Sequence, residues 1–320
     1  MSVFYLVLER LIANIMRETS EFTHTELDSV DFSDIDLIPV ESKSTISDVF
    51  KVRINGKWHF LKRPKKEFST HPVFISAIKK EFDIGYSLNH SGISRYESVG
   101  NDSQGIYLLS EWVDGFTLED FIRKNPDYFK DATNRRKFVT QICSALSYLH
   151  GRQVLHLDLK PSNIMITKIN HDVKLIDLGF AYSDCYQFET SGKSEAYAAP
   201  EQLAEGGEIN ELTDIYSLGL VLEYALTGRT DEEAMKLLPR QWSRAVARCR
   251  NENPADRPRS VDEVMNIVLK SRMPLFGGQH WSLSFCLSPV HCCCRKIKMG
   301  QWCKFSHKQL PYVRLPMILR

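Results

Sequence analysis

The sequence predicts an α+β chain of two lobes: a small, mostly antiparallel β lobe carrying one helix, then a larger, mainly helical lobe. Two patterns predict it. The runs Asp48–Ile54 and Lys57–Lys62 alternate in polarity and meet at Asn55-Gly56, the strongest short-range signal for a hairpin. Beyond Leu118 the period changes, and Phe138, Ile142, Leu146 and Leu149 recur at helical spacing. With 320 residues, 43% of them apolar and 25% charged, the chain can bury the core of one or two globular domains.

Each element follows in order. Within Met1–Met16, Phe4, Leu8, Leu11, Ile12 and Ile15 share one helical face. Glu9 and Arg10 make this run a poor signal peptide or bilayer span, so an amphipathic helix is expected. The acidic, Ser/Thr-rich stretch from Glu18 to Asp36 reads as a linker. After the hairpin come a helix from Val73 to about Leu88 and strands near Ser94–Val99 and Ile106–Trp112. The helix carrying Phe138 leads into a loop at His156. Asp214–Thr227 is apolar nearly all round, as a helix buried at the centre of a lobe would be. Helices at Asp231–Leu238, Trp242–Arg250 and Val261–Lys270 complete the body. The expected organisation is an N-terminal helix and linker over 1–36, a main body over 37–272 (small lobe 37–113, large lobe 114–272), and a tail over 273–320.

Charge and cysteine set the tail apart. From Arg272 to the end there are eight Lys/Arg and no Asp or Glu, so the preceding body is mildly acidic and shows no nucleic-acid footprint. Cys143, Cys185 and Cys249 are scattered through the body without disulfide or metal spacing, as expected of a cytoplasmic protein. Cys286, Cys292, Cys293, Cys294 and Cys303 crowd the tail. Cys294, Cys303 and His307 hint at a zinc knuckle but lack a fourth ligand. Met273–Cys294 has no charged residue, yet its His, Gln, Ser and Pro content argues against insertion. Flanking Arg272 and Arg295-Lys296 would suit attachment to a membrane surface, and Cys292–Cys294 are candidates for acylation. The tail reads as a disordered or vestigial extension, and nothing in the sequence specifies an oligomeric state.

The most informative stretch is His156-Leu157-Asp158-Leu159-Lys160-Pro161-Ser162-Asn163, followed by Asp177-Leu178-Gly179. An Asp, an Asn five residues on and a second Asp entered from the apolar run Val173–Ile176 suit phosphoryl transfer. Asp158 would accept a hydroxyl proton, while Asn163 and Asp177 would hold divalent ions against nucleotide phosphates.

With these motifs in place, the segment from about Asp36 to Arg272 resembles a eukaryotic-type protein kinase catalytic domain of the serine/threonine class, of the kind found in bacteria. The resemblance implies a two-lobed kinase fold, ATP and Mg²⁺, and a protein substrate with a Ser or Thr acceptor. Lys62 then matches the lysine that grips the α- and β-phosphates, and Glu81 the glutamate that holds it. Lys160 joins Asp158 in catalysis, and Ser194 falls where a hydroxyl bonds both. Glu111 and Val113 of the hinge would offer backbone groups to adenine, with Ser110 as a small gatekeeper. Ala199-Pro200-Glu201 closes the activation loop, with Glu201 paired to Arg257. Asp214 braces the catalytic loop through backbone amides.

Four positions depart from the family pattern. Ser42, Ser44 and Ser47, ahead of Val49, stand where the family has three phosphate-cradling glycines. Phe60 replaces the alanine that faces adenine, where it would crowd the nucleotide or stack on it. Leu157 replaces the arginine of His-Arg-Asp, which places the chain among kinases without that arginine (the non-RD type) and argues against switching by an activation-loop phosphate. Leu178 replaces the Phe of Asp-Phe-Gly. The alternatives to an active serine/threonine kinase are a pseudokinase scaffold, suggested by the glycine-free loop and Phe60, and a small-molecule kinase of related fold. The Ala-Pro-Glu to Arg257 framework disfavours the latter.

Overall fold

The computed structural model describes residues 32, 35–42, 44–183 and 196–269. The chain divides into two units between Ser271 and Arg272, and every described residue lies in the first. The N-terminal helix, the tail and Ser194 lie outside the described residues, as do Cys185 and the cysteines of the tail.

Strands β1 (Ile38–Pro39), β2 (Ser47–Ile54), β3 (Lys57–Pro64), β4 (Tyr96–Asp102) and β5 (Gly105–Glu111) form one antiparallel sheet in the order β1-β2-β3-β5-β4. The expected hairpin is there, closed by Asn55 (φ 49°) and Gly56 (φ 81°), the doubly left-handed turn that matches strand twist. Its register pairs Val49 with Lys62 and Lys51 with Phe60, and β3 pairs Phe60 with Ser110 on β5. Because side chains alternate along a strand, Val49, Phe60 and Lys62 share the face turned toward the cleft. Val52, Leu61, Tyr107 and Leu109 share the other.

That second face corrects the linker reading. Phe32, placed by its acidic surroundings in a linker, is only 1% exposed. It packs edge-on against Tyr107 with centroids 4.8 Å apart, and Ile35 and Leu37 cover the same cluster. The apolar residues at 32, 35 and 37 pack onto this sheet face. β1, which the composition of this region also conceals, adds an edge strand.

Helix α1 (Pro72–Tyr86) begins on a proline at its first turn and packs against β4 and β5. It buries Ile78, Phe82 and Ile84 together with Glu81. It ends two residues before the expected Leu88, where the Ser87 hydroxyl donates to the Ile84 carbonyl at 2.8 Å. The strand expected at Ser94–Val99 starts at Tyr96, since the Ser94 amide is drawn away to the Leu175 carbonyl at 2.9 Å.

The large lobe starts with β6 (Gly115–Thr117) and α2 (Leu118–Lys124), then α3 (Ala132–His150), which buries Phe138, Ile142, Leu146 and Leu149 as expected. Asp131 caps α3 by accepting the Thr133 amide at 2.7 Å and the Asn134 amide at 3.1 Å. The short strands β7 (Val154–Leu155), β8 (Ile164–Thr167), β9 (Val173–Leu175) and β10 (Tyr182–Ser183) follow. β6, β8 and β9 form one small sheet, and β7 pairs with β10. After α4 (Pro200–Leu203), helix α5 (Glu211–Thr227) runs through the lobe's centre with Ile215, Leu218, Val221 and Leu222 fully buried. It starts three residues before the expected Asp214 because Asn210, not Asp214, caps it, accepting the Leu212 amide at 2.9 Å. Helices α6 (Glu232–Leu237), α7 (Arg240–Cys249) and α8 (Val261–Leu269) close the lobe within two residues of their expected ends. Among the described residues no helix is long and apolar enough to cross a membrane.

Candidate active site

Two loops of the large lobe face the hairpin of the small one. The first runs from β7 to β8 and carries His156–Asn163; the second follows β9 and carries Asp177–Gly179. The backbone ties them together, for the Ile176 amide donates to the Asn163 carbonyl at 3.0 Å.

Lys62, Glu81 and Asp177 converge between the lobes. The Lys62 ammonium donates to Glu81 Oε2 at 2.8 Å and to Asp177 Oδ1 at 2.9 Å. Burial disfavours the charge of this lysine, but the carboxylates of Asp177 and Glu81 outweigh burial and hold its pKa above the ordinary range. Burial likewise opposes ionisation of Asp177, yet Lys62 draws that carboxyl down to about 2. Glu81 moves the other way, raised by burial against the pull of Lys62. Gly179 lies close against this convergence: a Cβ there would be 3.1 Å from Asp177 Oδ1 and 3.2 Å from Glu81 Oε2.

Asp158 is 5% exposed and its carboxylate Oδ2 receives two donors, Asn163 Nδ2 at 2.9 Å and Lys160 Nζ at 2.7 Å. Asn163 Nδ2 also reaches the Asp158 carbonyl at 3.0 Å. With its amide nitrogen committed to Asp158, Asn163 has its side-chain oxygen as the group to offer a cation. Lys62 and the Gly179 amide both donate to Oδ1 of the Asp177 carboxylate. One carboxylate and one amide oxygen are hard donors of the kind Mg²⁺ takes alongside phosphate and water. These residues fit a magnesium site.

The loop at His156–Asn163 is held in an unfavourable shape. Leu157 has φ 60°, a conformation costly for a bulky residue, and Asp177 has φ 63°. Asp214 clamps the first by accepting the His156 amide at 2.8 Å and the Leu157 amide at 2.8 Å. His150, at the end of α3, bonds the same carboxylate at 2.9 Å. From the other side Gln202 donates to the Leu157 carbonyl at 3.0 Å. The family resemblance points to Asp214 as the brace of this loop; it does not point to His150 or Gln202. A histidine in the last turn of a helix is a signal for the first, but nothing in the sequence marks Gln202.

The remaining positions lie around the cleft. Val49 is buried opposite Lys62, and Phe60 sits half-buried across from the buried Ser110. Val113 is buried, while the Glu111 side chain turns to Lys174 at 2.7 Å and its amide to the Arg95 carbonyl at 2.8 Å. In the serine loop the Ser44 hydroxyl accepts the amides of Ser47 at 3.0 Å and Ile46 at 3.3 Å, and the Ser42 hydroxyl accepts the Ser44 amide at 3.1 Å. The hydroxyls therefore engage backbone amides of the kind a glycine-rich loop leaves open. Below the cleft, Glu201 pairs with Arg257 through both oxygens, at 2.7 and 2.8 Å.

A twisted antiparallel small lobe, a helical large lobe and this constellation between them define a protein kinase fold. The model of the protein kinase domain matches residues 45–270, and the chain belongs to that family. Among curated relatives, it is 32% identical over 213 residues to the serine/threonine-protein kinase PrkC of Bacillus subtilis, covering 64% of this chain and 32% of that protein. It is 28% identical over 214 residues to a probable serine/threonine-protein kinase, PknB, of Lactococcus lactis, covering 65% and 33%. The chain thus spans about a third of the length of these relatives. Among solved structures, the PknI kinase domain of Mycobacterium tuberculosis, as a double mutant, aligns with a TM-score of 0.60 at 22% identity, covering 76% of this chain and 97% of that one. That likeness concerns the fold.

Proposed function

We propose that this chain is a serine/threonine protein kinase that transfers the γ-phosphate of ATP to protein hydroxyls with Mg²⁺. The observation that carries the reading is the meeting of the Lys62–Glu81–Asp177 ion triad with Asp158, Asn163 and Lys160 at one cleft. Bound magnesium would neutralise phosphate charge, held by Asn163 and Asp177. Lys62 grips the nucleotide phosphates and Glu81 fixes its ammonium. Ser42, Ser44, Ser47 and Val49 roof the nucleotide, and Glu111 and Val113 present backbone groups to its base. Asp158 orients the acceptor hydroxyl and takes its proton as the oxygen attacks the γ-phosphorus, with ADP leaving. Lys160 offsets charge on the moving phosphoryl group. There is little covalent work for the protein, so catalysis is positioning and charge stabilisation.

Leu157 supports assignment to the non-RD type, in which activity does not wait on an activation-loop phosphate. Cys143 and Cys249 are both free and buried, and the Cys249 thiol is pushed up to about 12 by burial. Inert, unpaired thiols favour a cytoplasmic location.

The test is incorporation of labelled γ-phosphate into the full chain and into a generic Ser/Thr protein substrate, with and without Mg²⁺. Asp158→Asn is expected to lower kcat by about 10²–10⁴-fold, the usual worth of a general base, with ATP binding measured calorimetrically little changed. Wild-type turnover in Asp158→Asn would overturn the assignment.

A further inference from the structure

Tyr96 begins β4 at the place where the pairing of β4 with β5 slips, between Tyr96 and Ser98. Its ring is 4% exposed and lies directly against α1 at Gly85. A Cβ on Gly85 would fall 2.2 Å from the ring Cδ2 and 2.4 Å from Cγ, so only glycine admits the ring at this depth. There the hydroxyl makes two bonds at once. It donates to Glu81 Oε1 at 3.2 Å and accepts from the Leu178 amide at 2.9 Å.

These two bonds close a ring. Glu81 holds Lys62 through its other oxygen, Lys62 holds Asp177, and Asp177 is joined covalently to Leu178, whose amide returns to Tyr96. Resting on the kinase reading above, we propose that Tyr96 is a positioning residue for phosphoryl transfer. Its hydroxyl latches the α1 glutamate to the Asp177–Leu178 turn, and Gly85 provides the space that admits it.

The chemistry of the phenol suits this task. One oxygen can donate to a carboxylate while accepting from an amide, which no aliphatic residue at this position could do. Burial, then the negative charges of Glu81 and Asp177, keep the phenol protonated well above its ordinary range. The donor toward Glu81 is therefore present at any working pH. Without the hydroxyl, the buried Leu178 amide and one Glu81 oxygen would each lose the partner it has here. Leu157 offers no cation to an activation-loop phosphate, so a latch inside the cleft supplies ordering that such a phosphate would otherwise bring.

The experiment uses the full chain with Tyr96→Phe, which keeps the ring and removes the hydroxyl, assayed well below its unfolding midpoint. We expect kcat to fall about tenfold or more, the scale of one hydrogen bond to a charged group, with the KM for protein substrate unchanged. Amide exchange at Leu178 should accelerate at least about tenfold. Gly85→Ala, which displaces the ring, should produce the same two changes. In a Tyr96→Leu background Gly85→Ala should cost nothing further, as a coupled pair requires. Unchanged Leu178 exchange in Tyr96→Phe overturns the latch, whatever happens to turnover. Accelerated exchange with wild-type kcat overturns its role in positioning. If the wild-type chain transfers no phosphate, the kinase reading fails, and accelerated Leu178 exchange with a lengthened Lys62–Glu81 pair in crystals of Tyr96→Phe still supports the latch, their absence overturning it.

Discussion

Replacing Glu201 by Ala tests how the large lobe is held together beneath the catalytic loop. The Arg257 side chain has no exposed surface, and that of Glu201 is 9% exposed. All five N–H donors of the guanidinium are spent. Two go to Glu201, and the others to the carbonyls of Asn251 at 2.8 Å, Leu212 at 2.9 Å and Glu252 at 3.2 Å. Glu201→Ala leaves three of these bonds in place and strands two buried donors. At about 1–3 kcal/mol for each buried group left unsatisfied, the expected loss is about 2–6 kcal/mol. That range contains the roughly 3–5 kcal/mol found when one partner of a buried pair is removed. For a body of this size the unfolding midpoint should drop by about 4–24 °C. Urea denaturation followed by tryptophan fluorescence measures the loss, and Trp242, buried in the same lobe, reports it. The double variant Glu201→Leu/Arg257→Met should recover much of the stability, because no charge is then left stranded. A loss in Glu201→Ala below about 1 kcal/mol, the worth of an exposed pair, would refute the argument.

Two further outcomes are expected. Ser44→Gly frees the Ile46 and Ser47 amides now held by the Ser44 hydroxyl, so the KM for ATP should fall about two- to tenfold, one neutral hydrogen bond's worth; a higher KM would mean that the serine hydroxyl itself binds phosphate. Stability should also decline in acid. Asp177, Asp214 and Glu201 all have folded pKa values below their ordinary ones, held there against burial by Lys62, by His150 and the loop amides, and by Arg257 respectively. Their stabilisation is complete above about pH 4–5 and is lost as the pH falls through the folded values toward about 2. Denaturation midpoints that rise between pH 5 and 3 would contradict this.

The two-lobed architecture was legible in the sequence because its signals are local. A doubly left-handed Asn55-Gly56 turn, a period of two along the hairpin and a period near 3.6 along α3 each depend on neighbours a few residues apart. The motif that brings Asp158, Lys160 and Asn163 together was legible for the same reason, since the three lie within six positions of one another. Helix ends were less so, since Asn210 and Ser87 decide them through local capping bonds. Phe32 was misread because acidic neighbours define a linker by composition, whereas its burial depends on a sheet face supplied by residues far along the chain. Only the tertiary structure decided what the cleft is made of. Lys62 and Asp177 are 115 positions apart, and no local pattern specifies their 2.9 Å contact. The same holds for the left-handed Leu157, clamped by Asp214 and Gln202, and for Tyr96, whose place depends on a missing Cβ at Gly85. Such contacts carry no periodicity: they form when burial of the core brings distant elements together, and the hydrogen bonds made there then fix each polar group in place.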